Sequence, residues 1–181
     1  MINLPLNIDY SGKVVVVTGA GGLICGTMAR AFAQSGAKVA ALDLNEENID
    51  RFLRMVDDEY NCLTLCSGSL GADLSNNVAD IVRKHCDRIA FAHIRNVKHF
   101  ENGDFSEASH RDCDGDTGIL EILKAYHDCG FEGYIRPDHG RHLWGEGKGT
   151  VRPGYGLYDR ALGIMYMLGV WDMLDRLDGK I

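Results

Sequence analysis

Apolar residues in this chain follow two patterns, short continuous runs and longer stretches with helical spacing. The continuous runs predict β-strands over 13–17, 38–42, 62–66, 89–93 and 134–136, and the fourth strand can extend to residue 97. The first run consists almost wholly of valine, which predicts a parallel strand buried on both faces. We therefore expect a parallel sheet of five strands.

Helical spacing of apolar residues separates these strands. The spacing predicts a helix that runs through Met28 and ends at Gly36, and further helices over 45–56, 78–84, 119–129 and 158–177. Residues 98–117 are rich in Asp, Glu and His, which predicts a long polar loop of the kind that often carries function. The regular alternation of strand and helix predicts an α/β fold with helices packed on parallel strands.

Composition and charge narrow the classes of partner. A chain of 181 residues suits one domain, and a net charge of −7 argues against nucleic-acid binding, which needs a basic patch. No apolar stretch is long enough to span a membrane, and the first 13 residues lack a signal-peptide pattern, so we expect a cytoplasmic protein with no membrane partner. The six cysteines do not have the spacing of a zinc finger, and we expect most of them to be reduced and buried.

A glycine-rich turn joins the first predicted strand to the first helix. Its residues Gly19, Gly21 and Gly22 would let backbone N–H groups approach a pyrophosphate at a helix N-terminus. Asp43, at the end of the second strand, could accept a hydrogen bond from a ribose hydroxyl. The alternative is a structural βαβ unit that binds no cofactor, which we favour because such a turn alone is weak evidence.

The first 45 residues resemble the start of a short-chain dehydrogenase/reductase, in particular the mannonate (fructuronate) oxidoreductases. The resemblance is carried by the runs 12–22 and 39–44. It implies a Rossmann-like unit and an NAD-dependent oxidoreductase as one candidate function. Reductases of that family use a Tyr-x-x-x-Lys pair for proton transfer, and no tyrosine of this chain is followed by lysine at that spacing. We therefore do not expect NAD(P) as a cofactor.

Chemically distinctive side chains follow three later strands. Cys66, His93 and Asp138 each lie at or just beyond the carboxyl end of a predicted strand, and parallel strands bring such ends together on one face. A thiolate, an imidazole and a carboxylate together suit a divalent transition metal such as Mn²⁺, Fe²⁺ or Zn²⁺. Each residue alone also has a structural explanation, as a core cysteine, a core histidine or a turn cap. Their shared position is what indicates a metal site.

Residues 45–181 resemble mannonate dehydratase. The matching runs are 63–71, 91–97, 133–141 and 152–163. The resemblance implies a TIM barrel that uses Mn²⁺ or Fe²⁺ to dehydrate D-mannonate to 2-keto-3-deoxy-D-gluconate in hexuronate (glucuronate) catabolism. It also implies that Cys66, His93 and Asp138 are the metal ligands and that His139, Arg141 and Tyr155 line the reaction centre. In that reading, one of His139 and Tyr155 is the base and the other the acid, and Arg141 pairs with the substrate carboxylate.

The extent of the chain sets the domain prediction. A closed TIM barrel needs about 250 residues and eight strands, more than this chain holds. We therefore expect a Rossmann-like βαβ fragment over 1–45 and a partial TIM barrel over 46–181, with an activity reduced by truncation or lost. The helix with Met165, Met167, Trp171 and Met173 is predicted to be core, or an oligomer contact if the barrel is incomplete.

Overall fold

The computed structural model describes residues 8–43, 46–55, 61–148 and 152–181. The chain divides into two compact units. The first unit comprises Met1–Leu65 with Arg88–Phe91, and the second comprises Cys66–Asp87 with Ala92–Ile181. The chain passes from the first unit to the second within strand β3 (Asn61–Cys66) and again within strand β4 (Ile89–Ile94).

Parallel strands and two helices form the first unit. In chain order its elements are β1 (Val14–Thr18), α1 (Leu23–Gln34), β2 (Lys38–Leu42), α2 (Glu46–Met55) and the greater part of β3 (Asn61–Cys66). Val14 pairs with Lys38 across β1 and β2, and Val39 pairs with Asn61 across β2 and β3. Gly36 follows α1 with a φ of 88°, a conformation that glycine adopts without strain, and it ends the helix where the sequence predicts. Asn45 and Val56, the predicted ends of α2, lie outside the described residues.

The prediction that the first strand is buried on both faces is wrong. Val14 is 68% exposed and Val16 is 59% exposed, whereas Val17 is buried. The strand lies at the edge of the sheet, next to β2 alone. Helix α1 packs on β1, and in the described part of the unit the face that carries Val14 and Val16 stays open. A run of valines indicates a strand, but it does not show whether a second layer covers both faces.

The second unit contains the carboxyl ends of β3 and β4 (Ile89–Ile94) beside β7 (Tyr134–Pro137), in that order. Its other elements are α3 (Ser67–Leu70), α4 (Val78–His85), β5 (Val97–His99), β6 (Phe105–Glu107), α5 (Ile119–Asp128) and α6 (Leu157–Leu177). Helix α5 packs against α4 and α6, and its residues Ile119, Leu123 and Tyr126 are fully buried. The five sheet strands and the long helices agree with the sequence prediction to within a few residues.

The predicted loop over 98–117 has more structure than its composition indicates. Val97 pairs with Glu107 and His99 pairs with Phe105 in an antiparallel hairpin formed by β5 and β6. A short 3₁₀ helix, Asp112–Asp114, follows the hairpin. Strands of three residues are too short to show an alternating pattern among so many polar side chains, so the sequence does not reveal them.

Helix α6 is buried along only part of its surface. Met167 lies in the core, as predicted, and so does Val170, but Met165 is 66% exposed and Met173 is 44% exposed. The prediction that the whole methionine-rich stretch is core is therefore wrong. One face of the helix packs on α5 and β7, and in the described residues its opposite face meets solvent.

Two of the six cysteines form a disulfide. Cys86, at the end of α4, is bonded to Cys129, at the end of α5, and the two are 43 residues apart. Cys25, Cys62, Cys66 and Cys113 are free thiols. The expectation that most cysteines are reduced holds for these four, but the expectation that they are buried holds only for Cys66, because Cys113 is exposed and the other two are partly exposed. No short spacing in the sequence marks the bonded pair. In the part of the chain that the structure describes, no helix is both long and apolar enough to cross a membrane.

Candidate metal centre

The first side chain of the candidate site is Cys66, the last residue of β3. Helix α3 begins at the next residue, so the strand ends and its last side chain lies at the carboxyl edge of the sheet. The thiol is buried, and its Sγ donates to Oδ2 of Asp138 at 3.4 Å. Burial raises the pKa of Cys66 because an apolar environment disfavours the thiolate.

His93 and Asp138 reach the same place from the neighbouring strands. His93 is the fifth residue of β4, and Asp138 directly follows β7. The backbone N–H of Asp138 donates to the carbonyl of Ile94 at 3.1 Å, which fixes the end of β7 against the end of β4. Nδ1 of His93 lies 3.3 Å from Oδ1 of Asp138. Burial lowers the pKa of His93, although the Asp138 carboxylate opposes the shift, so the ring is neutral near pH 7.

The spacing of these donor atoms fits a single metal ion. One ligand atom each from Cys66, His93 and Asp138 can be chosen so that all three lie within 4.8 Å of one another. Metal bonds to nitrogen, oxygen and sulfur are about 2.0–2.3 Å long, so two ligands of one ion are at most about 4.6 Å apart. Separations within 4.8 Å are therefore compatible with three ligands of one ion. A soft thiolate beside an imidazole favours a transition metal over Mg²⁺ or Ca²⁺.

His139 lies next to this cluster and is held by an acid that the sequence analysis did not identify. Its Nδ1 is 2.7 Å from Oε1 of Glu107, at the end of β6. Its Nε2 is 3.8 Å from Oδ2 of Asp138. Glu107 in turn accepts two hydrogen bonds from Arg95, at 2.6 and 3.0 Å. The position of Glu107 depends on the hairpin, so no local sequence signal could have singled it out among the acids of residues 98–117.

Tyr155 lies beside His139. An isolated parallel bridge pairs Gly140 with Tyr155, and the rings of His139 and Tyr155 are 5.3 Å apart between centroids. Gly154 has a φ of 80°, and a Cβ on it would lie 3.3 Å from Nδ1 of His139. The left-handed turn favours glycine at this position, and a larger residue would also displace the imidazole by a few tenths of an ångström.

Arg141 makes a two-pronged ion pair with Asp159. Nε and Nη2 of Arg141 donate to the two carboxylate oxygens, each at 3.0 Å, and the backbone N–H of Arg141 donates at 2.7 Å. The hydrogen bonds that Arg141 donates to Asp159 raise the pKa of Arg141. One edge of the guanidinium is thus occupied within the chain. The predicted pairing of Arg141 with a substrate carboxylate then depends on its remaining edge.

The glycine-rich turn of the first unit has a different arrangement. The N–H of Gly21 donates to Oδ2 of Asp43 at 2.8 Å, and Nδ2 of Asn48 donates to Oδ1 of Asp43 at 3.2 Å. Gly22 is the N-cap of α1, and Gly19 turns the chain with a φ of 64°. The carboxylate of Asp43, which is predicted to bond to a ribose, therefore accepts a hydrogen bond from Gly21. The backbone N–H of Gly21 is the group predicted to approach a pyrophosphate.

Comparison with known proteins identifies the family. A family model described as D-mannonate dehydratase (UxuA) matches residues 40–180. The chain belongs to this family. All six residues that the resemblance assigns to metal binding and reaction lie within the matched part, and the glycine-rich turn lies outside it.

Individual members of the dehydratase family show the same relationship. The chain is 61% identical over 128 residues to mannonate dehydratase 1 of Halalkalibacterium halodurans, covering 71% of this chain and 35% of the relative. It is 59% identical over 134 residues to mannonate dehydratase of Endomicrobium trichonymphae, covering 74% of this chain and 36% of the relative. The crystal structure of mannonate dehydratase from Streptococcus suis serotype 2 superposes with a TM-score of 0.72 at 35% identity, covering 81% of this chain and 46% of that one. The chain thus spans about a third of the length of these curated relatives.

Proposed function

We propose that this chain catalyses the metal-dependent dehydration of D-mannonate to 2-keto-3-deoxy-D-gluconate. The convergence of Cys66, His93 and Asp138 at three neighbouring strand ends is the observation that carries the proposal. Family membership supports it. The substrate and the place in hexuronate breakdown in the cytoplasm remain predictions, because the chain covers only part of each relative.

Cys66, His93 and Asp138 would hold the ion, which we propose to be Mn²⁺ or Fe²⁺. When bound, the ion supplies Lewis acidity to oxygen atoms of the sugar acid. His93 is neutral near pH 7, as a ligand must be, because burial lowers its pKa. Cys66 must lose its proton on metal binding, because burial raises the pKa of its thiol.

His139 and Tyr155 are the proposed proton-transfer groups. The C2 proton of mannonate passes either to Nε2 of His139 or to the oxygen of Tyr155, and the other group protonates the C3 hydroxyl as the C3–O bond breaks. Loss of water leaves an enol that becomes the 2-keto product. The 5.3 Å separation of the two rings supports this assignment, because both can then reach adjacent carbons of one substrate. Arg141 would bind the substrate carboxylate with the guanidinium edge that Asp159 leaves available.

For the chain as a whole we propose a partial TIM barrel over 46–181 and a structural βαβ unit over 1–45. The adjacent positions of β3, β4 and β7 in one sheet support the first part of this proposal. The hydrogen bond from Gly21 to Asp43 supports a structural role for the glycine-rich turn. The predicted self-association would use the exposed face of α6, which includes Met165 and Met173. A measurement of the mass of the chain in solution tests it.

Metal analysis combined with an activity assay tests the proposed function. The purified chain, stripped of metal, is titrated with Mn²⁺ and then assayed for 2-keto-3-deoxygluconate formed from D-mannonate, with and without the ion. We expect one Mn²⁺ per chain and activity only in its presence. Metal binding without dehydration would indicate an inactive remnant, and absence of both would overturn the proposal. Saturable NADH binding together with NAD⁺-dependent oxidation of mannonate would favour the oxidoreductase instead.

A further inference from the structure

Glu107 links two charged side chains beside the candidate metal centre. Its Oε1 is 2.7 Å from Nδ1 of His139 and accepts from Nη2 of Arg95 at 2.6 Å, while its Oε2 accepts from Nε of Arg95 at 3.0 Å. All three side chains are largely shielded from solvent, with between 15% and 28% of each side chain exposed. Such charge-assisted bonds are short and directional, so the geometry of Glu107 is well defined.

This arrangement fixes which nitrogen of the His139 ring carries the proton. A carboxylate accepts hydrogen bonds and donates none, so the short contact requires a proton on Nδ1 of His139. In the neutral ring the lone pair then belongs to Nε2, the nitrogen that lies 3.8 Å from Oδ2 of Asp138. The carboxylate therefore sets both the tautomer and the direction in which the ring presents its free nitrogen.

Arg95 holds Glu107 because residues next to Cys66 hold Arg95. Oγ of Ser67 accepts from the backbone N–H of Arg95 and donates to its carbonyl, both at 2.7 Å. The stem of Arg95 crosses directly over Gly68, where an added Cβ would lie 2.5 Å from Cδ of Arg95. The carboxylate that orients His139 is thus anchored to the residues immediately after a candidate metal ligand.

We propose that Glu107 is a positioning residue for His139. This inference rests on the proposed dehydration, because it assigns Glu107 the task of presenting Nε2 of His139 for proton transfer. Groups that orient a reacting or metal-binding histidine typically affect activity by about 10- to 100-fold. Glu107 acts through His139 and makes no contact with the reacting atoms in this scheme.

The test is the tautomer of His139, measured by ¹⁵N NMR of the full chain labelled at histidine, at a pH where the ring is neutral. The His139→Gln variant identifies the resonances. We expect the Nδ1–H form in the unaltered chain, loss of that preference in Glu107→Leu, and a weaker preference in Glu107→Gln, whose amide oxygen can still accept. His110 is an internal control, because its Nε2 bonds the carbonyl of Ile94 and stays protonated in every variant. Glu101→Gln, an exposed acid of the same hairpin, is the matched control for charge.

Activity and metal affinity complete the experiment. We expect kcat for mannonate dehydration to fall about 10- to 100-fold in Glu107→Leu, with KM and Mn²⁺ affinity unchanged. An unchanged tautomer in both Glu107 variants would overturn the inference, as would an equal loss of kcat in Glu101→Gln or a loss of Mn²⁺ affinity. If Glu107→Leu does not fold, Glu107→Gln decides alone. An unaltered chain without dehydratase activity would refute the proposed function, whereas the NMR result would still decide whether Glu107 orients the ring.

Discussion

Two regions of this molecule present acidic side chains at the carboxyl ends of parallel strands. In the first, Asp43 follows β2 and bonds to Gly21 and Asn48. In the second, Asp138 follows β7 and lies within ligand distance of a thiol and an imidazole from two other strands. Asp43 accepts hydrogen bonds from the turn before α1 and from α2, whereas Asp138 pairs with its near neighbour Arg136 and also meets groups from two other strands.

This difference shows which sequence signals indicate chemistry. A glycine-rich turn followed by an acid has a structural use, because the acid can bond to the turn itself. In the second region Arg136 pairs with the carboxylate of Asp138, but the thiol and the imidazole come from two other strands, and clusters of such titratable groups are typical of functional sites. The number of independent strands that contribute to a site is therefore more informative than a single motif.

Matched substitutions at the two acids give the largest expected effect. We expect Asp138→Asn to weaken Mn²⁺ binding by more than about 100-fold, beyond the range typical of groups that only support a ligand. Asp43→Asn should leave Mn²⁺ affinity unchanged, because its carboxylate bonds to Gly21 and Asn48. Free Mn²⁺ measured by electron paramagnetic resonance gives both affinities. Equal effects of the two substitutions would break the comparison.

The ion pair between Arg141 and Asp159 provides the next test. Burial tends to raise the pKa of Asp159, but the hydrogen bonds and charge of Arg141 outweigh it and hold the pKa below its usual value of 3.8. The carboxylate therefore contributes stability above its unfolded pKa, and this contribution is lost as the pH falls through the lower folded value.

We expect Asp159→Asn to reduce the free energy of unfolding by about 2 kcal/mol at pH 7, less than for a fully buried pair because Arg141 is partly exposed. Urea titrations between about pH 7 and pH 2 measure the effect. The difference from the unaltered chain should be constant near neutrality and shrink at the acid end. A difference that does not depend on pH would show that the pair stabilises the fold by packing and not by charge.

The smallest expected effect concerns Tyr126. Its ring is fully buried against Phe131, and among the described residues its hydroxyl has no hydrogen-bond partner. A buried polar group without a partner is unfavourable, so Tyr126→Phe should leave the free energy of unfolding unchanged or raise it by up to about 1 kcal/mol. Urea titration checks this, and Mn²⁺ affinity should not change. A weaker Mn²⁺ affinity in this variant would show that Tyr126 also supports the candidate metal centre.

The sequence predicted the parts of the site that depend on regular strands. Cys66, His93 and Asp138 were predicted to converge because each ends a strand, and parallel strands end on one face. Glu107 and Asp159 could not be found in this way. Glu107 reaches His139 through a hairpin of three-residue strands, and Asp159 reaches Arg141 from the first turn of α6. Both contacts depend on tertiary packing of segments whose local patterns are only polar.

The same dependence on tertiary packing explains why the predictions of burial are wrong for two residues. Val16 and Met165 have the residue types of a core, and each is more than half exposed. Periodicity reports which residues form an element, but whether another layer covers a given face depends on how many elements the chain contains.

Gly68 lies in the short helix α3, a setting in which glycine is not usually required. Its backbone is helical, a conformation that alanine adopts more readily. An alanine methyl group there would nevertheless lie 2.8 Å from Cβ of Arg95, at the rigid base of that side chain. Whether a substitution is tolerated at position 68 therefore depends on Arg95, which is distant in the sequence, and not on the local preference for a helix. Replacing Gly68 by alanine, which favours a helix locally, would displace the guanidinium of Arg95. That displacement would in turn reorient His139, more than 70 residues away in the sequence.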